Sequence, residues 1–241
     1  MTVDHDHVRR FYDLEYYGAD RASTASWHTK RVAGQLGDLR GKAVLDVACG
    51  AGEWLEELAR RGARTAGVDI SAVGIERCRN RVPDAELFCC AAEELPFDDN
   101  IFDIVTCLGS LEHFLDERRA LLEMCRVARQ DGQILLLVPN AGFLTRRLGL
   151  YQGTEQTVVK EDVKSLVEWE ELFSSVGLRV AERWRDLHVL SRSWIGRGAW
   201  PNWPLRLLQA IALPLWPLPW QYQVYYLCRI EGCVREIDQG K

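Results

Sequence analysis

The stretch Val44-Leu45-Asp46-Val47-Ala48-Cys49-Gly50-Ala51-Gly52 decides the fold of this 241-residue chain. Its first half is nearly all apolar, which is typical of a buried strand, and its second half is a loop of small residues that leads into a helical pattern from Glu53. Small residues allow a ligand to approach the backbone, and the first turn of a helix has N–H groups without intrahelical partners. The stretch therefore predicts a strand, a ligand-binding loop and a helix in succession.

Further apolar runs of strand length alternate with helical patterns along the chain. The predicted strands are Ala43–Cys49, Arg64–Ile70, Ala85–Ala91, Phe102–Gly109, Gln133–Val138, Leu178–Asp186 and Tyr222–Ile230. Runs that are nearly continuously apolar indicate strands covered by helices on both faces. The alternation predicts an α/β fold with a doubly wound, seven-stranded and mostly parallel sheet.

Capping residues and apolar stripes predict helices between these strands. They are Glu53–Arg61 closed by Gly62, a helix capped by Ser71, Glu117–Arg129, and a helix opened by the capping-box residues Ser165 and Glu168 and closed by Gly177.

The nature of the ligand follows from the charges and sizes around the loop. Asp69 ends the second strand, near the offset of ~20 residues expected of an acid that binds ribose hydroxyls. A dinucleotide fingerprint aligned on Gly50 and Gly52 would place its third glycine at Leu55, which is bulky, so that fingerprint fails. Asp46 would repel a pyrophosphate but suits a ligand with an ammonium and a sulfonium group. S-adenosylmethionine (SAM) fits these features.

Four motifs in this order resemble those of the class I SAM-dependent methyltransferases, in their small-molecule branch. They are residues 44–52, residues 67–71 (Gly-Val-Asp-Ile-Ser), residues 91–97 followed by Phe102-Asp103-Ile104-Val105, and Leu111-Glu112-His113. The resemblance covers about residues 40–140, and the later helix and two strands fit the same fold. It implies a methyltransferase fold but says nothing firm about the substrate.

The resemblance also implies a role for individual residues in cofactor binding. The loop from Asp46 through Ala48 and Gly50 to Gly52 would hold the methionine half of SAM. The other implied contacts are Asp69 to the ribose hydroxyls, Ile70 to the adenine face, Ala92 and Glu93 to the adenine edge, and the backbone of Leu108 and Gly109 to the methionyl amine.

Two positions depart from the family pattern. Ala48 stands where the first glycine is usual, a small change that the loop should tolerate. Ala91 stands where an acid usually meets the adenine amino group, so that contact is either missing or replaced by backbone or water.

His113 is the candidate catalytic residue, because an imidazole titrates near neutral pH and can act as a general base. A structural role in the wall of the pocket is the equal alternative. Glu94 and Asp98 are expected to be solvated loop acids. Tyr12, Tyr16, Tyr17 and Trp27 are predicted to cover the cofactor, the alternative being simple packing on the sheet.

The chain is predicted to be a single domain, 1–241, with an N-terminal cover at 1–40 and lid segments at 140–160 and 187–221. The connection from Leu187 to Gln221 has five Trp, three Arg and no acidic residue. It is expected to close over the acceptor, and contact with a membrane surface is the alternative.

Composition and short motifs limit which classes of binding partner and which cellular compartment we expect. With 30 basic and 35 acidic residues, a net charge of -5 argues against nucleic acid as a partner. Leu108-Gly109-Ser110, which differs from the Asn-Pro-Pro-Tyr type motif, also disfavours a DNA substrate. The start resembles no secretory signal, and the absence of C-x-x-C spacing disfavours a zinc ribbon. We expect a cytoplasmic protein with reduced, buried cysteines such as Cys89, Cys90, Cys107 and Cys228, and no metal.

The sequence thus predicts an enzyme that transfers a methyl group from SAM to a small-molecule acceptor with an apolar or aromatic body, leaving S-adenosylhomocysteine (SAH). Three alternatives stay open. They are a SAM-binding sensor or partner without activity, a methyltransferase that works on a lipid-like acceptor at a membrane, and a nucleotide-sugar or NAD-binding Rossmann enzyme, against which Leu55 and Asp46 argue.

Overall fold

The computed structural model of the protein describes residues 4–17, 27–147, 162–187 and 216–232. Its centre is a seven-stranded sheet with the strand order β3-β2-β1-β4-β5-β7-β6. The strands are β1 Ala43–Val47, β2 Arg64–Asp69, β3 Glu86–Cys89, β4 Phe102–Leu108, β5 Ala128–Pro139, β6 Leu178–Arg185 and β7 Gln223–Ile230. The prediction of seven strands in an α/β fold is confirmed.

The order in which the strands are added to the sheet reverses beside β1. This strand pairs in parallel with β2 on one side, where Val47 lies opposite Val68, and with β4 on the other, where Val47 lies opposite Cys107. Strand β7 pairs antiparallel with both β5 and β6. In such sheets ligands bind in the crevice beyond the carboxyl ends of the strands at the point of reversal, which here lies between β1 and β4.

Helices cover both faces of this sheet. They are α1 His5–Phe11, continued by a π-helical turn Tyr12–Tyr16, then α2 Trp27–Gln35, α3 Glu53–Arg60, α4 Ala72–Arg81, α5 Glu117–Val127, the short α6 Leu144–Arg147, and α7 Leu166–Ser175. Two 3₁₀ turns, Leu111–His113 and Leu218–Trp220, lie at the sheet's carboxyl edge and before β7.

The predicted helix ends are mostly confirmed. The Ser71 hydroxyl accepts from the Gly74 N–H, and Ser165 and Glu168 form both bonds of the capping box. Gly62 has φ +87, as a glycine after a helix end requires. The end of the fifth helix was predicted wrongly: α5 stops at Val127, since the chain from Ala128 pairs with β4 and becomes the start of β5.

The core has two layers, one on each side of the sheet. Leu45 faces the layer formed with α5 and α7, where Met124 and Trp169 are fully buried. Val44 faces the opposite layer, where Leu55 packs from α3. The alternation of β1 side chains between the two layers explains why that strand is apolar except at Asp46.

Two expectations about burial were wrong at the sheet's edge. Strand β3 is one of the two edge strands, and its residues are exposed or only partly covered. Cys89 at its end is exposed and Cys90 is half-buried, whereas Cys107 and Cys228 are buried as predicted. An edge strand has a neighbour on one side only, so an apolar run there does not ensure burial.

Most of the predicted lid lies outside the described residues. Within 140–160 the structure describes 140–147, and within 187–221 it describes Leu187 and 216–221. No helix in the described ranges is long and apolar enough to cross a bilayer.

Candidate functional site

The loop after β1 has a backbone that few residues can adopt. Ala48, Gly50 and Gly52 all have positive φ, at +61, +54 and +82. Gly52 also lies tightly against α4, because a Cβ there would be 2.6 Å from the Cys78 Sγ and 3.3 Å from its Cα. The loop was predicted to tolerate alanine in place of glycine at position 48. The positive φ of Ala48 means that this alanine strains the backbone, at a cost of about 1–2 kcal/mol. These three residues turn the chain at the carboxyl edge of β1.

Asp69 ties this loop to the end of β2. Its two carboxylate oxygens accept hydrogen bonds from the Gly50 N–H and the Ser71 N–H, each at 2.8 Å. The side chain is 7% exposed, and burial raises its pKa against the lowering effect of these two bonds. A buried carboxylate that already orders the loop is suited to order ribose hydroxyls beside it.

Asp46 is a second buried acid beneath the same loop. It is 3% exposed, and one oxygen accepts from the Thr106 hydroxyl on β4 at 2.7 Å. The Trp54 indole N–H donates to that hydroxyl at 3.0 Å, which fixes its direction. Burial raises the pKa of Asp46 to about 7. A cation bound nearby would favour the ionised form, as the two positive groups of SAM would.

The predicted adenine contacts lie together near the ends of β2 and β3. The Ile70 carbonyl accepts from the Arg9 Nε at 3.1 Å, and Ala92 is buried. The Glu93 carboxylate accepts from the N–H groups of Leu115 and Asp116, so it shapes the chain before α5.

Two predictions about the loop between β3 and β4 are confirmed. Glu94 and Asp98 are both exposed, as solvated loop acids should be.

The predicted residues after β4 complete the crevice. Gly109 has φ +69, and its N–H donates to the Leu137 carbonyl on β5, so Leu108 and Gly109 turn at the reversal point. His113 follows in the 3₁₀ turn and is half-buried. Its neighbour Glu112 in the fourth motif is a buried acid, 4% exposed, for which the sequence predicted no role.

The N-terminal segment lies against the same loop. A Cβ on Gly50 would be 2.8 Å from the Tyr17 hydroxyl. Burial raises the pKa of Tyr12, and the nearby charges of Asp69 and Glu112 raise it further. Of the four aromatic residues predicted as a cover, Tyr12 and Tyr17 therefore lie at the site. Tyr16 and Trp27 are exposed.

Three polar residues of this arrangement were missed by sequence reasoning. Arg9 and Asp13 contact the end of β2 and the start of α4, and Arg77 contacts Tyr17. These partners are 58 to 61 residues apart in sequence, and no local spacing signals such pairs. Within the described ranges, no three His, Cys, Asp or Glu side chains are grouped as metal ligands.

Comparison with known proteins identifies the family. Residues 45–136 match a family described as "Methyltransferase domain". The chain is 32% identical over 169 residues to the uncharacterized methyltransferase YcgJ of Bacillus subtilis, a match that covers 66% of each protein. The chain belongs to the class I SAM-dependent methyltransferases.

Other members of this family are similar over part of their length. The ubiquinone biosynthesis O-methyltransferase of Neisseria meningitidis is 36% identical over 110 residues, which are 43% of this chain and 46% of that protein. The chain thus spans about half the length of this relative and about two thirds of YcgJ.

A solved structure supports the fold of this family member. Magnesium protoporphyrin IX methyltransferase from Synechocystis PCC 6803, crystallised with bound SAH, superposes with a TM-score of 0.63 at 15% identity. The superposition covers 95% of this chain and 100% of that one, and it shows that the two share a fold.

Proposed function

We propose that this protein is an enzyme that transfers the methyl group of SAM to a small-molecule acceptor. The observation that carries the proposal is the loop at the reversal point between β1 and β4. There, three small residues with positive φ turn the chain, Asp69 fixes the Gly50 N–H, and the buried acid Asp46 lies beneath. This combination of a small-residue turn and two buried carboxylates suits a ligand with ribose hydroxyls and positive charge.

The residues present fit the cofactor. Gly50 and Gly52 carry no side chain, and a Cβ at either would collide with the Tyr17 hydroxyl or with Cys78. In this proposal the methionine half of SAM is held by Asp46, Ala48, Gly50 and Gly52, and its amine donates hydrogen bonds to the backbone carbonyls of Leu108 and Gly109. Asp69 accepts from the ribose, and Ile70, Ala92 and Glu93 surround the adenine.

When bound, SAM supplies a methyl group already activated by its sulfonium, so the protein's task is alignment and exclusion of water. The 3₁₀ turn after β4 places His113 beside the carboxyl edge that the loop also faces. We assign His113 as the general base that removes a proton from the acceptor as the methyl group arrives.

An acceptor with an apolar or aromatic body is favoured by the side chains beyond β5. Phe143 is 5% exposed, and its ring meets Tyr222 edge-to-face at 5.0 Å between centroids. Both residues lie at the edge of the sheet where β5 ends and β7 begins. The relative named for ubiquinone biosynthesis is consistent with such an acceptor.

A cytoplasmic location is part of the same proposal. Cys49, Cys78, Cys107 and Cys228 are buried thiols rather than disulfides, which is usual for a reducing compartment.

The proposal is tested with methyl-labelled SAM and a cell extract separated into aqueous and lipid fractions. We expect SAH to form only when an acceptor fraction is present, and the fraction that gains label identifies the acceptor class and separates a lipid-like acceptor from a water-soluble one. Binding of SAM without SAH formation in any fraction would instead indicate a sensor or partner protein.

A further inference from the structure

Residues 4–17, here called the N-terminal strap, lie across the part of the crevice assigned to the adenosine half of the cofactor. One side of the strap is apolar and faces inward, with Val8 and Phe11 buried, whereas Leu14 on its other side is 74% exposed. The strap is one short helix and one π-helical turn. So short an element depends on its contacts with the rest of the molecule for its position.

Asp13 is the polar contact at the centre of the strap. Its Oδ1 accepts from the Ser71 hydroxyl at 2.5 Å and from the Val73 N–H at 3.3 Å. Ser71 is the N-cap of α4, and its own Oγ accepts from the Gly74 N–H at 3.0 Å. Asp13 therefore adds a carboxylate from a distant segment to the N-terminus of α4, where negative charge is stabilised by the helix dipole.

Tyr17 holds the end of the strap. Its carbonyl accepts from the Arg77 guanidinium at 2.8 Å, and the Arg77 guanidinium carbon lies 5.6 Å from the centre of the Tyr17 ring. The same ring lies on Gly74, where a Cβ would be 3.2 Å away, and its hydroxyl lies over Gly50.

The beginning of the strap is held on the same side of the crevice. Arg9 donates to the Ile70 carbonyl, and His5 Nε2 is 3.3 Å from the Glu93 carboxylate. The strap thus rests on residues assigned to the adenine and methionine contacts. Tyr17 and Arg9 cover residues that the cofactor would contact.

From this arrangement we infer that the N-terminal strap gates entry and exit of the cofactor, and that Asp13 is the latch that keeps it closed. This inference rests on the proposed function. A latch of this kind lowers the rates of association and dissociation together, because both need the open strap. A residue that only contacts the bound cofactor changes dissociation alone.

The test measures association and dissociation rate constants of SAH by surface plasmon resonance for the parent, Asp13→Asn and Glu15→Gln. Glu15 is the matched control, an exposed acid two residues along the same strap. Asp13→Asn keeps an oxygen that can accept both hydrogen bonds but removes the charge that strengthens them, which should raise both rate constants by about tenfold, with a smaller change in Kd. Glu15→Gln should match the parent. A faster dissociation with unchanged association, or no change in either rate, would overturn the gate.

A second variant and a second measurement keep the inference independent of one substitution. Arg77→Gln releases Tyr17 and should also raise both rates. Hydrogen exchange in residues 4–17 should be faster in Asp13→Asn than in Glu15→Gln without any ligand, and equal exchange would overturn the latch. If the parent binds neither SAM nor SAH, the proposed function fails, and the exchange comparison still decides whether Asp13 holds the strap.

Discussion

At the scale of single residues, Asp46 links stability to pH. Its pKa rises from 3.8 to about 7 because the carboxyl is buried. The folded protein therefore holds a proton that the unfolded chain loses, and the free energy of unfolding falls as pH rises from about 4 to about 7. At about 1.4 kcal/mol for each pKa unit, the loss at neutral pH is at most about 4 kcal/mol.

Asp46→Asn should remove much of this loss, because an amide oxygen can still accept from the Thr106 hydroxyl. We expect the variant to be about 1–3 kcal/mol more stable than the parent at pH 8 and nearly equal at pH 4, measured by urea denaturation. It should also bind SAM more weakly. Asp98→Asn, at an exposed loop acid, is the control. A constant difference between Asp46→Asn and the parent at both pH values would contradict the assignment.

His113 is the residue on which the chemical step depends in our proposal. His113→Gln should lower kcat by on the order of a hundredfold, the usual contribution of a general base, while the affinity for SAM changes less than about twofold. The measurement is steady-state kinetics with the identified acceptor, together with calorimetry of SAM binding. An increase in KM with kcat unchanged would show that the imidazole is part of the pocket wall instead.

At the scale of elements, the turn into α3 depends on the close approach of Gly52 to α4. Gly37 is a matched control, because its φ of +80 is nearly that of Gly52 at +82, yet a Cβ there would meet nothing within 4 Å. Gly37→Ala should cost about 1–2 kcal/mol for the backbone alone. Gly52→Ala should cost about 1–3 kcal/mol more, since the methyl group collides with Cys78.

Thermal denaturation of both variants measures this difference, and Gly52→Ala combined with Cys78→Ala should recover part of it. Equal losses for Gly37→Ala and Gly52→Ala would show that the loop does not need the close approach.

The elements also show what sequence could and could not predict. Strands β1, β2 and β4 are buried between two layers, so their apolar runs and the small loop after β1 were sufficient to predict them. The end of α5 was missed because pairing with β4 outweighs helical spacing from Ala128 onward. The exposure of Cys89 was missed because it depends on β3 being at the edge, which the residues of β3 do not encode.

At the scale of the whole molecule, the order of strands brings together residues that are far apart in sequence. Asp46 lies near the end of β1, Asp69 ends β2 and Gly109 follows β4, and the parallel pairing of these strands places the three residues at one edge. This was predictable because parallel neighbours share an edge. The strap was predicted only as a cover, since its contacts through Asp13, Arg9 and Arg77 require the folded structure.

The most direct test of the central claim is calorimetric titration of SAM into the parent and Asp69→Ala. The account predicts one site per chain in the parent. It predicts affinity at least about tenfold weaker in Asp69→Ala, because the carboxylate accepts charge-assisted hydrogen bonds worth about 1.5–3 kcal/mol each. Asp98→Ala should bind as the parent does. The absence of binding to the parent, or an unchanged dissociation constant in Asp69→Ala, would contradict the account.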